Sequence, residues 1–215
     1  MGTHKQALAA VLSFSVLFVG LAFGRTATAE EGAVQFVRTT DARLTALLRK
    51  PESPSRNQEL DAVLEQLIDF DELSRRAFGD PCPETLPTCA DLWTGLKPAE
   101  RAQAKDLLRR LVEKNYRQHL VQILGFQVSY EGVDQASGLE EVRTEARQPA
   151  KPRDPPVQVA YVLEGRSGRY RIVDLVTEGA SLTKSYYEQF RRMLADPSEG
   201  FPHIVERLRA KIAER

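Results

Sequence analysis

The apolar positions of this chain change period part-way along. From Ala33 to Leu48 they recur at helical spacing, with Val34, Val37, Leu44, Leu47 and Leu48 on one stripe and Phe36 beside it. Pro51 and Pro54 close that run. Asn57 is placed to cap a second helix over 58–68, whose stripe is Leu60, Val63, Leu64, Leu67 and Ile68. A short helix follows from Asp69-Phe70-Asp71 through Leu73, Ala77 and Phe78, closed by Gly79. Pro98 at a first helical position, with Glu100 behind it, opens a long helix to about Ile123. Its stripe is Ala104, Leu107, Leu108, Leu111, Val112, Tyr116, Leu120 and Ile123. The opposite face carries Arg101, Lys105, Arg109, Arg110, Lys114 and Arg117, which reads as a solvated basic face.

After Gly125 the period drops toward 2. Phe126, Val128 and Tyr130 alternate with Gln127, Ser129 and Glu131, and 140–147 reads as a polar strand near an edge. A Pro-rich loop with Lys151 and Arg153 leads into a hairpin whose two β-rich runs meet at Arg166-Ser167-Gly168-Arg169. Val157, Val159, Tyr161 and Leu163 are expected on one face of the first run. Tyr170, Ile172 and Val176 are expected on one face of the second, with Val173 and Leu175 on its reverse. Gly179 punctuates the strand, and Leu182, Tyr186, Phe190 and Leu194 resume helical spacing. A last helix over about 198–213 turns Ile204, Val205, Leu208 and Ile212 inward. Helices, then four strands, then two helices predict an α+β fold, with a roughly four-stranded antiparallel sheet covered by N- and C-terminal helices.

The first 29 residues stand apart from this pattern. His4 and Lys5 precede a run from Ala7 to Phe23 that is apolar but for Ser13, Ser15 and Gly20, and Ala27-Thr28-Ala29 is a small-x-small cleavage pattern. The expectation is an exported chain cut after Ala29, leaving a single α+β domain over 30–215. Removing Lys5 and Arg25 leaves 28 basic against 30 acidic residues, which gives no support for nucleic-acid binding. Cys82 and Cys89, in an exported chain and with six residues between them, are expected to form a local disulfide rather than a redox or metal pair.

Motifs for catalysis are weak. His119 and His203 have no acid or cysteine beside them in sequence, and neither a nucleophile elbow, a phosphate-cradling loop nor a histidine cluster is present. Asp174 lies inside an apolar strand, where a lone carboxylate is costly, so a structural hydrogen-bonding role is expected. The expectation is a protein that is not an enzyme, without cofactor or metal.

Two runs are similar to a known family. Leu67-Ile68-Asp69-Phe70-Asp71, Arg76-Ala77-Phe78-Gly79, Trp93 and Pro98-Ala99-Glu100-Arg101 resemble the N-terminal half of the MlaC family, also called the toluene-tolerance auxiliary family. Tyr170 to Leu182, continuing to Tyr186, Gln189 and Phe190, resembles its strand-to-helix signature. The similarity spans most of 33–213. The segment from Cys82 to Cys89 departs from the family pattern as an insertion, and Lys97 stands where a Ser or Thr cap commonly precedes the proline.

The resemblance implies an NTF2-like α+β cone and a periplasmic phospholipid-binding protein. Such a protein shuttles lipid between an outer-membrane lipoprotein complex and an inner-membrane ABC transporter with an MCE-domain component, as a monomer making transient contacts. Two acyl chains hold about 30 methylenes, and exposing them to water costs on the order of 25 kcal/mol, so the cargo needs an apolar enclosure. On that reading an acyl-chain cavity is expected among Val34, Phe36, Val37, Phe126, Val128, Tyr130, Val157, Val159, Tyr161, Leu163, Tyr170, Ile172, Val176, Leu182, Tyr186 and Phe190. Alternation alone describes a filled core equally well. The alternatives are another apolar cargo, hopanoid- or solvent-like, or an enzyme on the same fold.

Overall fold

The structure, a computed structural model, describes residues 24–83, 86–166 and 169–214. The apolar part of the expected leader, and the side chains of His119, Leu120 and Ile123, lie outside the described residues. The expected cleavage point at Ala29 falls within the first helix.

Six helices and five strands follow in order among the described residues: α1 Gly24–Leu48, α2 Pro54–Leu67, α3 Phe70–Ala77, α4 Pro98–Ile123, β1 Gln127–Ala136, β2 Leu139–Arg147, β3 Val157–Arg166, β4 Arg169–Thr177, β5 Ala180–Ser181, α5 Leu182–Ala195 and α6 Gly200–Ala213. The strands form one open antiparallel sheet in the order β1-β2-β3-β4-β5. It has five strands where four were expected. Glu178 and Gly179 both take positive φ (49° and 76°), which folds the chain back tightly and pairs Ala180 and Ser181 with the end of β4.

Local chemistry explains most boundaries. Ser53, not Asn57, caps α2: its hydroxyl accepts from the Arg56 amide at 3.1 Å, and Pro54 takes the first helical position. Asp69 caps α3 by accepting from the Glu72 amide at 3.0 Å. Ahead of α4, where Lys97 replaces a hydroxyl cap, Glu100 reaches back to accept from the Lys97 amide at 2.8 Å.

Two apolar cores result. The first lies between α1, α2 and one face of the sheet, around Val37, Leu44, Leu64, Val142, Leu163 and Ile172. The second lies among α3, α4, α5 and α6, around Phe78, Leu108, Leu111, Phe190, Ile204 and Leu208. Leu182, at the start of α5, touches both. The α2–α3 junction is tied to the sheet by a bridge between Ile68 and Ile172, and the Asp69 amide donates to the Ile172 carbonyl at 2.9 Å. Cys82 and Cys89 form the expected disulfide, with Cα atoms 5.7 Å apart.

The basic face of α4 is not a free cationic surface. Lys105 pairs with Asp71 at 2.6 Å and Arg117 with Asp61 at 2.5 Å. Arg109 lies 3.6 Å from Glu65 and 3.5 Å from Asp106, which also stands 3.8 Å from Arg110. Lys114 donates to the Lys211 carbonyl at 2.6 Å near the end of α6, and Arg101 donates to the Thr94 carbonyl at 2.7 Å. Lys105, Arg109, Arg117 and Lys114 thus tie α4 to α3, α2 and α6, while Arg110 pairs within α4 and Arg101 with the segment before it.

Candidate functional site

The expected cavity residues divide by the core they enter. Val34, Phe36 and Val37 of α1 meet Tyr130, Tyr161, Leu163, Tyr170 and Ile172 of the sheet in the first core. Phe36 and Tyr170 pack with ring centroids 5.7 Å apart. Tyr186 and Phe190 do not reach the sheet. Tyr186 stacks on Phe190, and Phe190 on Phe78, inside the second core, because α5 turns its aromatic stripe toward α3.

Two strand irregularities decide the rest. In β3–β4 the register moves from Val162 opposite Asp174 to Leu163 opposite Ile172, leaving Val173 as the extra residue. Strict alternation therefore fails in β4. Ile172 shares the α1 face with Leu163, whereas Val176, opposite Ala160, lies on the reverse face with Asp174. Val176 is thus not a neighbour of Ile172, contrary to the alternation read from the sequence. In β1 a second shift at Glu131 keeps both Tyr130 and Val133 against the first core. Val157 and Val159 share the face of Tyr161 but stand half-buried near its far end, opposite Ala146 and Thr144.

Asp174 is buried on that reverse face and fully engaged. It accepts from the amides of Leu175 (2.8 Å) and Thr183 (3.0 Å) and from the hydroxyls of Ser181 (2.5 Å) and Thr183 (2.9 Å). It organises the entry into α5, which is a structural role.

The space between α1 and the sheet is largely filled. Val37, Val142 and Leu163 are at most 1% exposed. A cleft of about 100 Å³ opens beside them, between the C-terminal half of α1, the start of β1 and the middle of β3. Phe126, Val128 and Tyr161 line it, with Leu44, Leu48, Tyr116 and Leu124, and Leu124 is an exposed large apolar side chain at 36%. A broader open groove of about 750 Å³ runs between α4 and α6 along Phe201, Pro202, Val205, Ala210 and Ala213.

A feature not anticipated in the sequence sits in the wall of the cleft. Asp41 is half-buried and accepts from the Tyr130 hydroxyl at 3.0 Å and from the Tyr161 hydroxyl at 3.3 Å. Burial pushes its carboxyl above the usual range, against the opposing effect of these two hydrogen bonds. The hydroxyls of Tyr116, Tyr130 and Tyr161 are pushed up as well, by burial first and then by the charge on Asp41. Among the described residues no ion pair reaches Asp41. The signal was legible: positions 34, 37, 41, 44 and 48 form one helical stripe, and Asp41 is the polar member of it.

Comparison with solved structures places this architecture beside the phospholipid-binding protein of Ralstonia solanacearum, determined in complex with a phospholipid. The match has a TM-score of 0.64 at 19% identity and covers 86% of this chain and 97% of that one, so it establishes a shared fold. Comparison with curated protein sequences finds no match. At the level of family, the sequence matches the description "MlaC protein" over residues 38–210, from within α1 to within α6. That span takes in the disulfide segment, the whole sheet and both cores apart from the α1 residues up to Val37 and Ile212 of α6, and the chain belongs to the MlaC family.

Proposed function

We propose that this protein is a periplasmic phospholipid carrier. It takes up lipid at one membrane system and yields it at another, between an outer-membrane lipoprotein complex and an inner-membrane MCE-type ABC transporter. The carrying observation is the apolar layer between α1 and the sheet, in a member of a family with a phospholipid-bound structural neighbour. That layer supplies the apolar contact that acyl chains require and opens to solvent at the cleft beside Leu124 and Phe126.

The cleft is small against the 300–1,000 Å³ of ordinary ligand pockets. On this reading the acyl chains enter by parting α1 from β2, β3 and β4. The side chains that close the interface, Val37 against Val142 and Leu163, then become cavity wall. The disposition favours a binding protein over a catalyst: the carboxylates withdrawn from water serve as an α5 cap at Asp174, in ion pairs with Arg75 and Arg76 at Glu72, and as a tyrosine-bonded collar at Asp41, with no histidine hydrogen-bonded to any of them among the described residues.

The test is extraction. Protein purified gently from its producing cells should carry phospholipid near one molecule per chain, seen by native mass spectrometry and identified after solvent extraction. Recovery of stable, ligand-free protein that also takes no lipid from vesicles contradicts the proposal. A non-phospholipid apolar molecule in the extract replaces the cargo and keeps the site.

A further inference from the structure

Asp41 bridges two strands that are not neighbours. Its carboxylate accepts from the Tyr130 hydroxyl of β1 at 3.0 Å and from the Tyr161 hydroxyl of β3 at 3.3 Å, while β2 runs between them. The β2 residues opposite these tyrosines add no donor. Val142 is apolar, and the Thr144 hydroxyl donates to the Val159 carbonyl at 2.8 Å. Arg38, one turn earlier on α1, lies over the Tyr130 ring at 5.0 Å, so the same helix holds that ring at its face and at its hydroxyl.

The C-terminal end of α1 is anchored apart from the sheet. Residues 49–53 join it to α2, and the Arg43 guanidinium donates to the Gln66 side-chain carbonyl of α2 at 3.2 Å. Toward the N-terminus, the inward side of α1 from Val37 back to Ala33 belongs to the apolar layer of the first core. The Asp41 bridge therefore stands between an anchored end and the half of α1 that covers the proposed cargo layer.

Two opposing effects meet at the bridge. Withdrawing the carboxylate from water opposes closure, and no cation offsets it among the described residues. The two hydroxyl donors favour closure, because hydrogen bonds to a charged acceptor are the stronger kind. When α1 parts from the sheet, water takes over the carboxylate, which an apolar residue at this place in the stripe would not gain from.

We infer that Asp41, Tyr130 and Tyr161 form a latch that keeps the lipid-free protein shut and sets the rate at which it opens to take up cargo. The inference rests on the carrier reading above and assigns its gate. Without the two hydroxyls, the closed form keeps a carboxylate withdrawn from water and loses both its donors, while the parted form keeps that carboxylate hydrated. The balance moves toward the parted form, and the fraction of protein competent to bind rises.

The experiment uses the full chain stripped of lipid, mixed in stopped flow with a fluorescent short-chain phosphatidylcholine offered as monomer, so that escape from a bilayer does not limit the rate. The Tyr130→Phe, Tyr161→Phe double variant keeps both rings and is expected to take up the lipid about tenfold faster than wild type, equivalent to about 1.4 kcal/mol in the opening equilibrium. Its final stoichiometry should equal that of wild type. Gly79→Ala, which strains the chain next to Tyr187 and away from α1, serves as a destabilised control and should stay within about twofold of wild type. An unchanged or slower rate in the double variant overturns the latch and leaves the carrier reading standing. An equal acceleration in Gly79→Ala also overturns it, since general loosening then suffices, and a lowered stoichiometry overturns it by assigning the tyrosines to binding. Where the double variant does not fold, Tyr130→Phe alone decides, with an expected gain of about threefold and an unchanged rate as the contrary result. Wild-type protein that takes up no lipid overturns the carrier reading, and this inference with it.

Discussion

Asp174 holds Thr183 twice, through the amide at 3.0 Å and the hydroxyl at 2.9 Å, across the turn that joins β4 to α5. The Ser181 hydroxyl, which donates to the same carboxylate, also accepts from the Lys184 amide at 3.0 Å as the helix cap. One carboxylate thus fixes the chain reversal and the helix start together. Replacing Asp174 by Ala leaves those buried donors unmatched and is expected to cost about 3 kcal/mol. For a domain of this size that is a fall in Tm of about 6–12 °C. A fall below about 2 °C contradicts the assignment.

Gly79 is fixed by both conformation and space. Its φ is +79°, and a Cβ there would lie 2.6 Å from the Ala90 carbonyl oxygen and 2.7 Å from the Tyr187 ring, while the Tyr187 hydroxyl accepts from the Ala90 amide at 2.8 Å. Gly138 has nearly the same φ, +78°, in the β1–β2 turn, with nothing within 4 Å. Gly79→Ala is expected to cost about 3 kcal/mol or more, from strain plus overpacking. Gly138→Ala should cost about 1 kcal/mol, from strain alone. Urea unfolding of the two variants checks the difference, and equal losses refute the packing argument.

Asp41 gives stability a pH dependence of definite sign. Its folded pKa is raised above the ordinary 3.8 by burial, so the folded state holds the proton more tightly than the unfolded chain. The contribution is complete below about pH 3.8 and is lost as pH rises through the raised value. Asp41→Asn retains a carbonyl oxygen for the tyrosines and removes the charge. The stability of wild type relative to Asp41→Asn should therefore fall as pH rises from 3 to 7. A difference that is flat or rises, in melts across that range, contradicts the assignment.

The Cys82–Cys89 disulfide closes a short surface segment away from the first core. A Cys82→Ser, Cys89→Ser double variant is expected to lose about 2 kcal/mol of stability through the freed loop. Its phospholipid loading should match that of the wild type. Loss of loading in a folded double variant would assign the segment a part in binding.

Much of this fold was written in local pattern. The stripes of α1, α2 and α4 and the capping proline at Pro98 need only neighbouring residues to be read. The sheet's errors came from what period-2 reading assumes. Val173 adds a residue to β4, so Val176 leaves the face of Ile172, and no propensity marks a bulge at a valine. Tyr186 and Phe190 sit at correct helical spacing, but spacing cannot say which of two cores an amphipathic helix faces. Asp41 interrupts an apolar stripe, yet its tyrosine partners lie 89 and 120 residues away and are joined to it only by the tertiary fold.

The most direct test of the account is where the acyl chain lies. A phosphatidylethanolamine with a photoreactive group at mid-chain, loaded from vesicles and irradiated, can be mapped by peptide mass spectrometry. The account predicts crosslinks on α1 between Ala33 and Asp41 and on the facing Val142, Leu163 and Ile172. Crosslinks confined to Phe201, Val205 and Ala210, in the larger groove between α4 and α6, would contradict it.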